Sequence, residues 1–357
     1  MNIRGKRKPC IFTKNFQYLQ MKERKHNRIR RTLTEANFLD TISCPSVLYY
    51  LTINDQRRDK PGVPDWLGQA GALLDGGAMG ILICPNCGKL LREEPKTFVC
   101  PEGHSFDRAK SGYVNLLMPG SKHSAQPGDD KRMVEARSAF LNAGYYQPLL
   151  AAVTESACHH LPLQDGVSLL DAGCGEGYYT AGVDQALREK GLDPQITGVD
   201  ISKLAVNKAA KRCKNLTLAV ASVFHLPVKT ESCDLFLNLF APFCLPEILR
   251  TLKPEGKLLL VIPGERHLWE LKQAVYDDPY LNQVKDFGIE GMELLEQKEL
   301  SWHMEVNRSE DIDPLFQMTP YYYKTSQEGY HRLLSLPSLR TSVQFHLLVY
   351  RKQPGGF

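Results

Sequence analysis

Cys84, Cys87, Cys100 and His104 stand in the order Cys-x2-Cys-x12-Cys-x3-His and offer three thiolates and one imidazole in two close pairs. Two such pairs, joined by a spacer of hairpin length, can surround one Zn²⁺ as a tetrahedron. Four protein ligands leave no open position, so the metal is expected to be structural. The spacer Gly88 to Val99 contains Gly88 and Pro95, residues suited to turning the chain between the pairs. The rival readings are four unrelated buried residues, or a Cys-x2-Cys redox pair, which leaves Cys100 and His104 without a use.

A second constellation lies in Leu169-Leu-Asp-Ala-Gly-Cys-Gly-Glu-Gly-Tyr178, where the acid Asp171 closes an apolar strand and Gly173, Gly175 and Gly177 follow. Another acid, Asp200, closes the next strand in Gly198-Val-Asp-Ile-Ser202. In a doubly wound sheet, ligands lie at the carboxyl ends of strands, where glycines admit the ligand to the backbone and the second acid accepts ribose hydroxyls. That describes an adenosine pocket. A dinucleotide site wants G-x-G-x-x-G and a helix N-terminus open to pyrophosphate, whereas here Glu176 sits inside a G-x-G-x-G loop. The phosphate-free sulfonium cofactor S-adenosylmethionine fits better. The rival is a strand-to-helix turn whose glycines are incidental.

The elements around these residues alternate. Val167–Leu170, Gln195–Val199, Leu216–Val220, Asp234–Leu237 and Lys257–Ile262 are apolar strands separated by helical patterns, and Val343–Tyr350 reads as a terminal strand. The fold class expected is α/β, a Rossmann-like doubly wound sheet with a small N-terminal zinc-binding module. The boundaries expected are a disordered extension over 1–78, the zinc module over 80–117, a polar linker over 118–131 and the catalytic domain over 132–350. Asp129 or Asp130 caps a helix that carries Met133, Ala136, Phe140 and Leu141 on one face and ends at Gly144. A second helix starts near Gln147-Pro148.

Charge narrows the partners little. Of 44 Lys and Arg in the 357-residue chain, eleven fall in residues 1–31 beside a single acid, Glu23, so the remainder is net acidic. A nucleic-acid partner must therefore be met by a local patch. The extension is expected to be dispensable, with Met79 a plausible start, against the rival of a basic RNA-binding arm. No apolar run approaches the roughly 20 residues of a membrane span, and no apolar signal segment follows the basic start, so a soluble chain in a reducing cytoplasm is expected.

The Asp-x-Gly-x-Gly-x-Gly loop resembles methyltransferases with a seven-stranded Rossmann-like sheet. The likeness runs through Asp200, through Ala221-Ser-Val-Phe-His-Leu-Pro227 and through Leu249-Arg-Thr-Leu-Lys-Pro-Glu-Gly256. Ser222 stands where an acid usually meets adenine, and Glu255-Gly256 replaces a glycine pair. A narrower resemblance lies in the zinc module, Gly112-Tyr-Val-Asn-Leu-Leu117, Pro127-Gly-Asp129, Ala136-Arg137, Gly144-Tyr-Tyr-Gln-Pro148, Pro263-Gly-Glu-Arg-His-Leu268 and Leu315-Phe-Gln-Met-Thr-Pro320. Together these resemble the family that methylates guanine N1 in 23S ribosomal RNA, over nearly all of residues 80–350. That resemblance implies a monomer or homodimer whose zinc module grips an RNA hairpin, or its large-subunit precursor. It also implies cofactor contacts from Tyr146, the Gly175-Glu176 loop and His267. The plainer alternatives are a packing tyrosine and a helix-capping histidine.

Guanine N1 loses a proton as the methyl arrives, so alignment supplies most of the acceleration and a base the rest. Asn238-Leu-Phe-Ala-Pro-Phe243 follows the fourth strand, where this fold lines its acceptor pocket. Asn238 is suited to a base edge, and Phe240 and Phe243 either stack on an extruded base or belong to the core. No general base stands out. Cys244 follows Phe243, not a proline, which argues against the nucleophile of cytosine-C5 methyltransferases. Two other functions stay open: a methyltransferase of this fold acting on a small molecule, and a non-catalytic RNA-binding protein. A basic strip from Lys89, Arg92 and Lys96 toward the cofactor cleft favours RNA, and a closed apolar pocket favours the small molecule.

Overall fold

The computed structural model describes residues 80–118, 128–162 and 164–354. The expectations for the extension 1–78, and for most of the linker 118–131, lie outside the described residues.

Among the described residues the first elements form a three-stranded antiparallel ribbon, β1 (Arg92–Glu93), β2 (Thr97–Val99) and β3 (Ser105–Asp107). Its next strand, β4 (Val114–Asn115), leaves the ribbon and pairs in parallel with the edge of the large sheet. Helix α1 (Lys131–Asn142) follows, with Asp130 as its cap: the carboxylate accepts from the Met133 amide at 2.9 Å. Gly144, at φ +85°, turns the chain into α2 (Gln147–His160), whose first turn holds Pro148.

Five parallel strands follow, with a helix between each consecutive pair except β7 and β8: β5 (Ser168–Ala172), α3 (Tyr178–Glu189), β6 (Gln195–Asp200), α4 (Lys203–Arg212), β7 (Thr217–Val220), β8 (Cys233–Leu239), α5 (Leu245–Thr251) and β9 (Leu252–Pro263). The chain ends with α6 (Trp269–Val275), β10 (Met292–Val306), α7 (Ser309–Gln317), α8 (Gln327–Leu334) and β11 (Leu339–Lys352). The large sheet has eight strands in the order β10-β11-β9-β8-β5-β6-β7-β4, and β11 runs antiparallel between β9 and β10. The order reverses at β5, between β6 and β8, and that switch point opens the crevice in which such sheets bind ligands.

Each strand offers alternate residues to opposite faces, and two buried clusters result. Leu169, Leu235, Leu237, Leu259 and Val261 face α1 to α4 and α6 to α8. Leu170, Ala172, Phe236, Leu258 and Leu260 face the other way, together with Ile81, Leu82, Leu91, Phe98 and the ligands Cys84 and Cys100. The zinc module thus shares a buried cluster with the sheet. It covers part of one face of the sheet, where Leu82 bridges Val228 and the Ile83 amide donates to the Pro227 carbonyl at 2.8 Å.

Candidate zinc centre and cofactor site

Two short turns present the metal ligands. In the first, the Gly88 amide donates to the Cys84 carbonyl at 2.8 Å and the Cys84 amide to the Lys89 carbonyl at 2.8 Å. The second repeats the arrangement: Gly103 donates to Cys100 and Cys100 to His104, both at 3.0 Å. Gly88 and Gly103 both sit in the left-handed region, at φ +72° and +81°, so the turns need residues without a Cβ. The ligand atoms of Cys84, Cys87, Cys100 and His104 all lie within 4.8 Å of one another. Cys87 Sγ is 3.6 Å from Cys100 Sγ, and Cys100 Sγ is 3.3 Å from His104 Nδ1. Zinc–sulfur bonds of about 2.3 Å in a tetrahedron put neighbouring sulfurs roughly 3.8 Å apart, so this set fits one Zn²⁺.

The glycine loop is built on close approach. A Cβ on Gly173 would stand 2.2 Å from the Ala241 Cβ, and Gly173, Gly175 and Gly177 all have positive φ. The Gly173 amide donates to the Val199 carbonyl at 2.7 Å, which ties the loop to the end of β6. Asp200 completes the tie, accepting from the Gly175 amide at 3.0 Å and from the Ser202 amide at 2.7 Å. Asp171, buried below the loop, accepts from the Thr180 hydroxyl at 2.6 Å. Glu176 turns into the protein and pairs with Arg212 at 3.0 Å, but its second carboxylate oxygen is buried without a partner. The Tyr179 hydroxyl is buried and unpartnered as well. Ser222, two residues past β7, sits in a tight turn and accepts from the Phe224 amide at 3.2 Å.

The structure brings Tyr146 and His267 together from 121 residues apart, with the phenol oxygen 3.4 Å from His267 Nε2. Both rings pack on Phe345 of β11, at centroid distances of 5.3 and 4.4 Å. Burial, with the Lys272 charge nearby, pushes His267 down to about 3, so the imidazole is neutral. Phe240 joins the same group, 5.3 Å from Phe345 and 6.3 Å from Tyr179, and is 45% exposed. Its φ of +61° is costly for a residue with a Cβ and turns the chain outward after β8. Asn238 is buried and donates from its amide to the Pro242 carbonyl at 3.2 Å, which closes this turn. Phe243 goes elsewhere, packing against the cluster that holds the zinc module, so the two phenylalanines do not form one pocket. Trp302 and Phe345, from strands at the end of the chain, were not anticipated in this group, nor was Tyr179.

Burial raises Asp171 to about 7 and Asp200 to about 6, against roughly 3.9 for an unperturbed aspartate. Between about pH 4 and 7 the folded chain therefore holds these protons more tightly than the unfolded one, and their contribution to stability grows as pH falls through that window. His267 works in the opposite sense, because the unfolded imidazole takes up a proton that the folded one refuses. The contribution of Asp171 is isolated by comparison with Asp171→Asn. On going from pH 7.5 to 5, the melting temperature of the ligand-free variant should change less favourably than that of the wild type, by a few degrees. Equal changes would show that Asp171 is ionised in both states.

Two family profiles match the chain. One, described as the N-terminal region of RlmA and a zinc ribbon, covers residues 82–125, and a methyltransferase domain covers residues 163–317. A 23S rRNA (guanine(748)-N(1))-methyltransferase of Streptomyces fradiae is 38% identical over 195 residues, which is 54% of this chain and 67% of that one. A relative in Micromonospora griseorubida, named provisionally for 23S rRNA guanine-N1 methylation, is 37% identical over 209 residues, 53% of this chain and 68% of its own. The chain belongs to the 23S rRNA (guanine-N1)-methyltransferase family. It is an S-adenosylmethionine-dependent methyltransferase with one structural zinc. A malonyl-[acyl-carrier protein] O-methyltransferase of Hamiltonella defensa is 31% identical over 129 residues, only 33% of this chain and 48% of that one, so the likeness to enzymes outside the family covers less of both chains.

Proposed function

We propose that this chain transfers the methyl group of S-adenosylmethionine to N1 of a guanine in a hairpin of 23S ribosomal RNA, acting in the cytoplasm as a monomer or homodimer. A cytoplasmic site is supported by the thiols, since all eight described cysteines are unpaired. Among the described residues, no helix is long and apolar enough to cross a membrane.

The observation that carries the RNA reading is a basic seam between the zinc module and α4. A cleft of about 730 Å³ there is lined by Lys96, Arg108 and Lys110 from the module and by Lys214 just after α4, with Asp107 as its one acid. Lys96, Lys110 and Lys214 are exposed, in a stretch of surface rich in cations. Residues 201–230 carry six Lys and Arg and no Asp or Glu. Cys213 lines the cleft, and its sulfur lies 3.9 Å from where a Cβ on Gly177 would stand, so the seam adjoins the cofactor loop. Such a row suits a phosphate backbone and has no use for a small neutral acceptor.

In this reading Asp200 holds the ribose, with Gly173, Gly175 and Gly177 giving room for the cofactor and Asp171, Glu176 and Ser222 framing it. Tyr146 and neutral His267 border the transferred group, and Phe240 receives the extruded guanine by stacking, with Asn238 fixing the turn that presents it. The bound cofactor supplies a methyl activated by sulfonium charge. With the cofactor bound, its methyl would pass to N1, the sulfur would keep the S–CH3 bonding pair and leave as S-adenosylhomocysteine, and the N1 proton would pass to water. His267, held neutral, accepts from the Gln344 amide at Nδ1 and so presents an Nε2–H donor toward the Tyr146 oxygen, and it is too weakly basic to keep that proton.

The double variant Lys110→Glu, Lys214→Glu tests the seam. RNA affinity should fall and the salt dependence become shallower by roughly 0.7 to 0.9 for each lost phosphate contact. Affinity for S-adenosylhomocysteine should stay within about twofold. An unchanged salt slope would remove the seam from the RNA path.

A further inference from the structure

The cofactor carries one anionic group, the α-carboxylate of its methionine end. Yet the side chains around the glycine loop are mostly acids: Asp129, Asp171, Glu176 and Asp200 all lie in or beside it. Two arginines answer them, and one is fully engaged. Arg212 donates to the Glu176 carboxylate and to the Asn142 side chain at 3.0 Å each, to the Glu176 carbonyl at 3.3 Å, and lies over the Tyr178 ring at 5.7 Å.

Arg137 differs. Its one ion-pair partner among the described residues is Asp129, and both side chains of that pair remain partly exposed, at 28% and 29%. The position is fixed from both sides. The Asp129 carbonyl accepts from the Ser202 hydroxyl at 3.1 Å, and Gly128 lies so close to the segment after Asp200 that a Cβ there would stand 2.9 Å from the Ile201 side chain. The start of α1 is thereby clamped onto the end of β6, and Arg137 sits two turns further along that helix. Through Asp129 the guanidinium is held beside Ser202, whose amide donates to Asp200. Burial lowers its basicity, but the charges of Asp129, Asp200 and Glu176 outweigh that and raise it. Tyr179, whose hydroxyl is buried without a partner, also feels that charge.

We propose that Arg137 is the receptor for the α-carboxylate of the cofactor, held ready by Asp129. A guanidinium presents a planar fork that matches a carboxylate with two parallel hydrogen bonds. More than a quarter of each side chain still meets solvent, so the arginine can turn part of its fork to the ligand while Asp129 keeps it aimed. The proposal rests on the cofactor reading of the glycine loop.

The test compares two ligands that differ only in that carboxylate, S-adenosylhomocysteine and its decarboxylated analogue S-adenosyl-3-thiopropylamine, by calorimetry on the full chain. Arg137→Gln should weaken S-adenosylhomocysteine about 10- to 100-fold, the range of a charge-assisted hydrogen-bonded contact. It should leave the analogue within about twofold, and Arg137→Lys should restore part of the loss for S-adenosylhomocysteine alone. Equal losses for both ligands in both variants would make Arg137 a structural residue and overturn the proposal, as would no loss for either. Wild-type protein that binds neither ligand would overturn the cofactor reading itself, an outcome distinct from the other two.

Discussion

Removing the zinc, by chelation or by Cys87→Ala, should lower a single cooperative melting transition of the described unit on the order of 10 °C. The magnitude follows from the coupling of metal to fold: structural zinc in small modules contributes several kcal/mol or more, and each kcal/mol moves the midpoint of a domain of this size by roughly 2 to 4 °C. The single transition follows from packing. Cys84 and Cys100 belong to the same buried cluster as Leu170, Val199, Phe236 and Leu260 of the large sheet, and β4 continues that sheet beyond β7. Losing the tetrahedron therefore uncovers one face of the sheet, and the cofactor end should weaken with it. Scanning calorimetry with and without chelator decides this. Two separate transitions, the upper one indifferent to chelator, would show that the module and the sheet fold as independent units.

Asp200→Ala should weaken S-adenosylhomocysteine binding about 10- to 100-fold. One carboxylate would serve three purposes in the bound state: it pins the Gly175 amide, caps the turn at Ser202 and accepts from the ribose. Loss of a buried hydrogen-bonding partner costs roughly 1 to 3 kcal/mol. Asp200→Asn keeps the shape of the side chain and one carbonyl oxygen, so its loss should be smaller. Calorimetry on both variants measures the difference, and unchanged affinity in Asp200→Ala would mean that the adenosine lies elsewhere.

The residues legible from sequence were those whose chemistry is local. The two zinc turns each close within five residues, and the loop from Asp171 to Thr180 is set by one strand end and three glycines, so spacing alone carried both. The five parallel strands were legible because burial on both faces gives each a short, mostly apolar run, such as Leu169-Leu170 in β5 and Leu258–Ile262 in β9. β10 was not, because it lies at the sheet edge with β11 as its one partner and mixes Glu, Lys and Leu along 15 residues exposed in alternation. Nor was the seating of the zinc module on the sheet, which depends on contacts such as Leu82 with Val228 that no local pattern encodes. Phe240 and Phe243 illustrate the same limit within one loop. Both are aromatic and three residues apart, and only the positive φ of Phe240 sends one outward while the other packs inward.

The most direct test of the account is primer extension on 23S rRNA lacking this modification, incubated with purified chain and S-adenosylmethionine. Methylation at N1 blocks the Watson–Crick edge of guanine and stops the polymerase. The account predicts one new stop, next to a guanine in a hairpin loop, that needs the cofactor and is strongly reduced with Asp200→Ala. Full-length extension through the rRNA, while the same preparation transfers methyl groups to a small-molecule acceptor, would contradict it.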